Sequence, residues 1–317
     1  MEYLPTSKEV KLLNDNLNNC SSQEERKQHI DLMCECEKFM IAMINVKDAE
    51  KKIRALLFQM DFDNVVQELE QNAKLIDNAC SELSSSLRLR KLLGVVLNAG
   101  NRVNMGAATA FSITSLLKLN HAKSMNKKTT FLHYVVTVAK RNDESILEFK
   151  EEIPSLFKAE KIFWDHCLNE IKGLHDHLNN IKKLVLTTSE DAGMQSISIE
   201  NNELSSNELK VLSSTYVGKF LLEAVLRIKD LRQQVDKANQ SYTDLLQYFH
   251  EETLKSHEFF NIFVQFSKNV DAARAEIKRE EKAKVRLLVK LQNFILLKFI
   301  SIVATEKDDF QQKQFHR

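Results

Sequence analysis

Between Val217 and Phe249 the apolar residues of this chain fall alternately four and three positions apart: Val217, Leu221, Ala224, Ile228, Leu231, Val235, Ala238, Tyr242, Leu245 and Phe249. That spacing keeps one face of an α-helix apolar through successive turns. It cannot do so for a strand, whose side chains alternate with a period of two. At about 1.5 Å per residue such a helix is roughly 50 Å long. A second seam lies upstream, where Phe157, Trp164, Ile171, Leu178 and Val185 recur every seven residues, with Cys167, Leu174 and Ile181 offset by three. Trp164 therefore reads as a core residue. Residues 187–207 between the seams are rich in Ser, Asn and Glu with one Gly, which reads as a loose loop letting the two helices lie antiparallel. Six Gly and two Pro in 317 residues leave few helix breakers, so neither a β-sandwich nor an α/β fold is expected. The predicted class is all-α, elongated, with long antiparallel coiled-coil-like helices.

The rest of the chain reads as shorter helices around these two. Thr6-Ser7-Lys8-Glu9, after Pro5, forms a capping box ahead of Val10, Leu12 and Leu13. A helix over about 22–43 carries Ile30, Met33, Phe39, Met40 and Met43, the methionines serving as core filler. Asn45 and Asp48 are turn and cap positions for a helix through Ile53, Leu56, Leu57 and Met60. Asp61 or Asp63 then starts another, with Val65, Leu69, Leu75, Ile76 and Leu83. Pro154 suits the first turn of the helix that carries the upstream seam. The phenylalanines between His250 and Asn269 read as a docked helix closing the core. Arg274 to Arg286 is a charged helix leaving the body, solvated or, alternatively, touching a membrane or filament. Leu287 to Val303 is apolar but interrupted by Lys290, Gln292, Asn293 and Lys298, and is short for a bilayer span. It reads as an added packing helix or as sequence from outside the domain.

Charge is distributed unevenly. No acidic residue stands between Glu82 and Asp143, yet ten basic ones do: Arg88, Arg90, Lys91, Arg102, Lys118, Lys123, Lys127, Lys128, Lys140 and Arg141. The whole chain is only +1, so this stretch concentrates positive charge. A solvated basic face is one reading and an anionic partner the other; nucleic acid and an acidic protein surface both fit. Locally, a helix is expected to end at Gly100 in a left-handed cap, with Asn101 and Asn104 holding the bend. Ser112 would cap a short helix with Ile113, Leu116, Leu117 and Leu119, and Asn126 a third with Phe131, Leu132, Val135, Val136 and Ala139.

Several function classes find no support. There is no glycine-rich phosphate loop, no G-x-S-x-G and no H-E-x-x-H, and the nine histidines are scattered, so no enzyme and no cofactor is expected. His133, mid-helix, reads as a structural hydrogen-bonder. Cys34, Cys36 and His29 lack a second ligand pair, so no metal site is expected. Five cysteines without regular spacing point to a reducing compartment, and no charged-then-apolar leader opens the chain. No nucleic-acid-binding motif accompanies the basic stretch, and no membrane partner is expected.

Three blocks in order then identify a family. GNRVN at 100–104, AFSITSLLKL at 110–119 and AKSMNKKTTFLHYVV at 122–136 resemble the signature of the formin homology 2 (FH2) domain. That signature runs G-N-x-M-N, G-F-x-L-x-x-L-x-K-L and K-S-x-x-x-K-x-T-L-L-H-Y. Val103 stands for the usual methionine, Ala110 for a glycine, and the link between the first two blocks is short. The similarity runs from Leu4 to about Arg286. It implies a partial FH2 domain over 1–286: knob-side helices 1–90, signature and post region 91–153, long paired helices 154–250 and a closing helix 251–273. Residues 274–317 form a tail without counterpart.

FH2 domains form ring-like dimers that grip the barbed end of an actin filament, nucleate filaments and follow the growing end. The resemblance thus implies an actin-binding protein of the cytoplasm and cytoskeleton. The K-S block places Lys123 against actin, with Lys127 and Lys128 beside it. Gly100, Asn101 and Asn104 fall in the post, which receives the N-terminal lasso of another FH2 subunit. Lasso, linker and first part of the knob precede the point where this sequence starts, so impaired assembly activity is expected of it. With two prolines it carries no profilin site. A helical scaffold that keeps the fold without acting on actin is the alternative.

Overall fold

The computed structural model describes residues 4–123, 129–188, 206–251 and 253–315, with side chains as far as Leu297 except at 187–188, 206–208 and 211. Eleven α-helices are found among them: α1 Ser7–Asn18, α2 Gln23–Leu32, α3 Glu35–Ile44, α4 Ala49–Ser85, α5 Leu87–Asn104, α6 Phe131–Asn142, α7 Leu156–Ala159, α8 Trp164–Thr188, α9 Ser206–Ser214, α10 Tyr216–Tyr248 and α11 Ser256–Phe315. Two 3-10 segments, Ile113–Lys118 and Glu144–Glu152, join them. The fold is all-α, and the sole extended pairing among the described residues is an isolated bridge between Lys123 and Thr130. The chain divides into two compact units, one of residues 1–71 and 165–236, the other of 72–164 and 237–317. Both α4 and α10 contribute to each.

In the first unit, α1 opens as its sequence requires. Glu9 accepts the Thr6 amide at 2.7 Å, and the Thr6 hydroxyl accepts the Glu9 amide at 3.4 Å. Leu13 and Leu17 of α1 pack with Ile41 of α3, and Ile30, Met33, Met40 and Ile44 surround them. The single helix expected over 22–43 is two. Met33 is extended (φ −74°, ψ 158°), and the Cys34 amide donates to Glu37 at 3.0 Å to start α3. The break lets Met33 reach the core, while Phe39 stays 45% exposed. Conversely, the two helices expected around Asp61 are one. Residues 49–85 contain neither Gly nor Pro, and Asp63 starts nothing: it accepts from Arg227 of α10 at 2.7 Å.

The buried face of α4 is Phe62, Val66, Leu69, Ala73, Ile76, Cys80 and Leu83, a third seam of alternating four and three. In this unit α4 and α10 run parallel, since Phe62 meets Phe220 edge-on at 5.2 Å and both Asp63 and Glu70 pair with Arg227. From α8, His177 stacks on Phe58 at 5.2 Å. Gly218 is required where α9 turns into α10: a methyl group there would run into the Leu212 carbonyl oxygen, and the Gly218 amide donates to Thr215 Oγ1 at 3.1 Å. The loop expected over 187–207 has its ends in α8 and α9, and residues 189–205 lie outside the described ones.

In the second unit the upstream seam begins at Trp164, not at Phe157. The chain leaves α7 so that Ile162 and Trp164, two positions apart, both turn inward, which one continuous helix forbids. Pro154 accordingly stands in the turn before α7. The Trp164 indole donates to Asn239 near the end of α10 at 3.2 Å, as antiparallel neighbours would. Phe259, Phe260, Phe263 and Phe266 of α11 are fully buried. Phe249 lies 5.4 Å from Phe263, Phe149 stacks on Phe266, and the Tyr242 hydroxyl donates to the Leu254 carbonyl at 2.7 Å. The aromatic run is thus the core closure its density suggested. Burial pushes the Cys80 thiol up to about 12, so this cysteine is an inert core group.

Around Ala273, α11 is tied to α6 and to the 144–152 segment by the surface ion pairs Lys150–Asp271, Arg274–Glu148 and Lys140–Glu281 and by a His133–Glu276 hydrogen bond, each 2.8–3.1 Å. From Lys278 to Leu297 every side chain is exposed. The added packing expected of the apolar tail is therefore absent among the described residues. No helix described is long and apolar enough to cross a membrane.

Candidate functional site

The signature residues build the end of α5, the start of α6 and the chain between them. Ser86 caps α5, accepting the Leu89 amide at 3.1 Å and donating to Glu152 at 2.7 Å. That hydroxyl, helped by the Arg88 amide, holds the Glu152 carboxyl below the usual carboxylate range. Arg88 itself pairs with Glu151 and Glu152. The N-terminal end of α5 is thus pinned to the 144–152 segment, and its far end is held in a fixed place.

That far end differs from expectation. The helix does not stop at Gly100 but runs on to Asn104, and Met105 takes the left-handed conformation (φ 48°). Asn101 is the reason. Its carbonyl accepts the amides of both Met105 and Gly106, its Nδ2 donates to the Ala108 carbonyl at 2.8 Å, and its Oδ1 accepts the Ala108 amide at 2.9 Å. One side chain closes the bend from inside the helix, so no glycine is needed at the turn. Residues 102–110 are all exposed, Met105 by 98%.

Ser112 stands at the head of the 113–118 segment, but its hydroxyl donates to Glu251 at 2.9 Å instead of capping. Ile113 and Leu116 are buried there. The chain returns through an antiparallel bridge between Lys123 and Thr130, closed by the Phe131 amide donating to the Ala122 carbonyl at 2.7 Å. Lys123 is exposed at the base of this excursion. Lys127, Lys128 and the expected cap Asn126 lie outside the described residues. The cap of α6 is Thr130, in a box whose second member is His133. His133 Nδ1 accepts the Thr130 amide at 3.3 Å, which assigns the ring proton to Nε2, 2.9 Å from Glu276. His133 is structural, as its place suggested.

Between α5 and α6 opens a cavity of about 590 Å³, lined by Val95, Ala99, Asn101, Gly106, Tyr134 and Val138 among others. Of the residues the sequence singled out, Asn101 and Arg102 line it; Gly100, Asn104 and Lys123 do not. Tyr134 and Val138 were missed, although a signal existed. They stand four apart on α6, off the face of Leu132, Val135, Val136 and Ala139 that is buried. The cationic stretch is also partly spent internally: Arg88, Lys91 and Lys140 have carboxylate partners, and Arg90 donates to the Ser84 carbonyl. Arg102, Lys118, Lys123 and Arg141 form no ion pair among the described residues.

Among the described residues the arrangement offers a lined cavity, an exposed loop and cations without ion pairs. The family model of the Formin Homology 2 Domain matches residues 1–271. The chain belongs to the FH2 family. It is 27% identical over 293 residues to protein diaphanous homolog 3 of Rattus norvegicus, covering 89% of this chain and 23% of that protein. Formin-like protein 5 of Oryza sativa subsp. japonica is 27% identical over 307 residues, 92% of this chain and 18% of its own length. Disheveled-associated activator of morphogenesis 1 of Homo sapiens is 26% identical over 285 residues, with 87% and 24% covered. The chain thus spans less than a quarter of each of these relatives. The FH2 match ends at residue 271, just before α11 loses its last packing partners at Ala273 and Ile277.

Proposed function

We propose that this FH2 chain binds actin at the filament barbed end and controls nucleation and elongation by binding, without covalent chemistry, in the cytoplasm at the cytoskeleton. The observation that carries the reading is the FH2 match over residues 1–271. Lys123 is the actin contact on this reading, supported by its exposure, by the lack of an ion pair to it among the described residues, and by the Lys123–Thr130 bridge beside it. Lys127 and Lys128, in the same block, would add charge beside it. Gly100, Asn101 and Asn104 belong to the post, and the cavity between Asn101 and Tyr134 is the seat for the lasso of another FH2 subunit. On this reading the chain associates with an intact FH2 domain through that cavity.

Lys123→Asp tests the contact. As an exposed substitution it should change folding stability by less than about 0.5 kcal/mol. Reversing a charge that faces an acidic partner should weaken binding by about 2 kcal/mol, or roughly thirtyfold. Co-sedimentation with filaments and pyrene-actin assembly read this directly, with urea unfolding as the control. Equal binding by both proteins removes Lys123 from the interface. If the unsubstituted chain neither binds filaments nor alters assembly, the three apolar seams favour the other reading, a helical scaffold without actin activity.

A further inference from the structure

The second half of α11 is used by nothing described so far. Leu287, Leu288, Leu291 and Ile295 are 52–66% exposed, and Val285, Val289 and Leu296 are also open to solvent. From Lys282 to Leu297 there are four cations, Lys282, Lys284, Arg286 and Lys290, and no acid. None of the four has an ion pair among the described residues. At about 100° per residue, Lys282, Arg286 and Lys290 form a stripe about 80° wide, and Leu287, Leu288, Leu291 and Ile295 face away from it. With the flanking Val285, Val289 and Leu296, the apolar arc covers about 200° of the circumference, with Gln292 inside it, while Leu297 falls within the cationic stripe.

We propose that residues 282–297 form a membrane-surface helix that lies on an anionic lipid bilayer. Three features select this occupant. The apolar run Leu287–Val303 is about 26 Å long, short of a hydrocarbon core of about 30 Å, and carries Lys290 and Lys298 within it, so the helix lies along the interface instead of crossing it. The apolar arc is wider than the seam one partner helix covers, whereas the acyl boundary takes it in at once. Lys284 stands inside that arc. In a pair of copies joined through this face it would be brought into an apolar seam, while at a bilayer its long stem lets the ammonium reach the headgroups. The cationic residues match the negative charge of phosphatidylserine-type lipids.

The test uses the whole 317-residue chain and vesicles of phosphatidylcholine alone or with three parts in ten phosphatidylserine. Co-sedimentation should show binding to the anionic vesicles, weakened by raising the salt. Each cation near an anionic surface contributes about fivefold, so Lys282→Gln, Arg286→Gln and Lys290→Gln together should weaken binding on the order of a hundredfold. Leu288→Asp with Leu291→Asp should abolish it. All these positions are exposed, so the melting temperature should hold, and Leu288→Trp should show a blue-shifted emission only with anionic vesicles. Equal binding to both kinds of vesicle, or unchanged binding by the triple variant, overturns the proposal. So does a lipid-free dimer in sedimentation velocity that the paired aspartates dissociate, since that would make a second copy the occupant.

Discussion

Helices α10 and α4 bury the same kind of seam, yet only one of them announces it. In α10 the buried positions are Leu221, Ala224, Ile228, Leu231, Val235, Ala238, Tyr242 and Leu245, and most are large apolar residues flanked by polar ones. In α4 the buried positions include Ala73, Ala79 and Cys80, while Leu56, Leu57 and Met60 are 43–74% exposed. Apolar character there misleads because Leu56, Leu57 and Met60 advertise a face left largely open among the described residues. Periodicity in sequence reports burial only where side-chain size and burial go together. In α4 the parallel course beside α10 is marked instead by ion pairs, Asp63 and Glu70 with Arg227 in the first unit and Asp77 with Lys237 in the second.

Truncating the legible seam should cost most. Leu231 is fully buried, and Leu231→Ala removes its packing and leaves a cavity, a loss of about 2–5 kcal/mol that urea unfolding would read. A loss under about 1 kcal/mol would mean that this seam collapses around the gap and is looser than its burial indicates. The hidden seam is tested by the opposite change. Ala73 is 1% exposed, so Ala73→Leu overpacks α4 and should destabilise by about 1–3 kcal/mol. A neutral or stabilising Ala73→Leu would mean that space remains beside α4 and that its seam is not closed.

The site was legible to a different depth from the fold. Three blocks of the signature were enough to place the chain in its family, and the family match bears that out over residues 1–271. Local geometry was less readable, because it depends on which of several competent side chains reaches a given amide. Asn126 and Thr130 can both cap a helix; Thr130 does, with His133 in the role a glutamate usually fills. Ser112 could have capped as well, but Glu251, far along the chain, takes its hydroxyl. No periodicity argument anticipates a bond across that sequence distance. The ten basic residues looked equivalent in sequence, and only the fold separates Arg88, held by two glutamates, from Lys123, held by none.

The smallest effect is the most discriminating, because its sign alone decides. A left-handed cap at Gly100 would make Gly100→Ala strained and destabilising. In the structure Gly100 lies within α5 with φ outside the positive region, and a methyl group placed there would meet nothing within 4 Å. Alanine then replaces a residue that costs a helix interior about 0.5–1 kcal/mol, so Gly100→Ala should stabilise the chain by about that amount in urea unfolding. A loss of stability would return the helix end to Gly100 and make the Asn101 closure a consequence, not a cause. If stability rises while association with an intact FH2 domain falls, the glycine serves the partner: its missing side chain leaves room for another chain to approach, and the protein forgoes a little stability to keep that room.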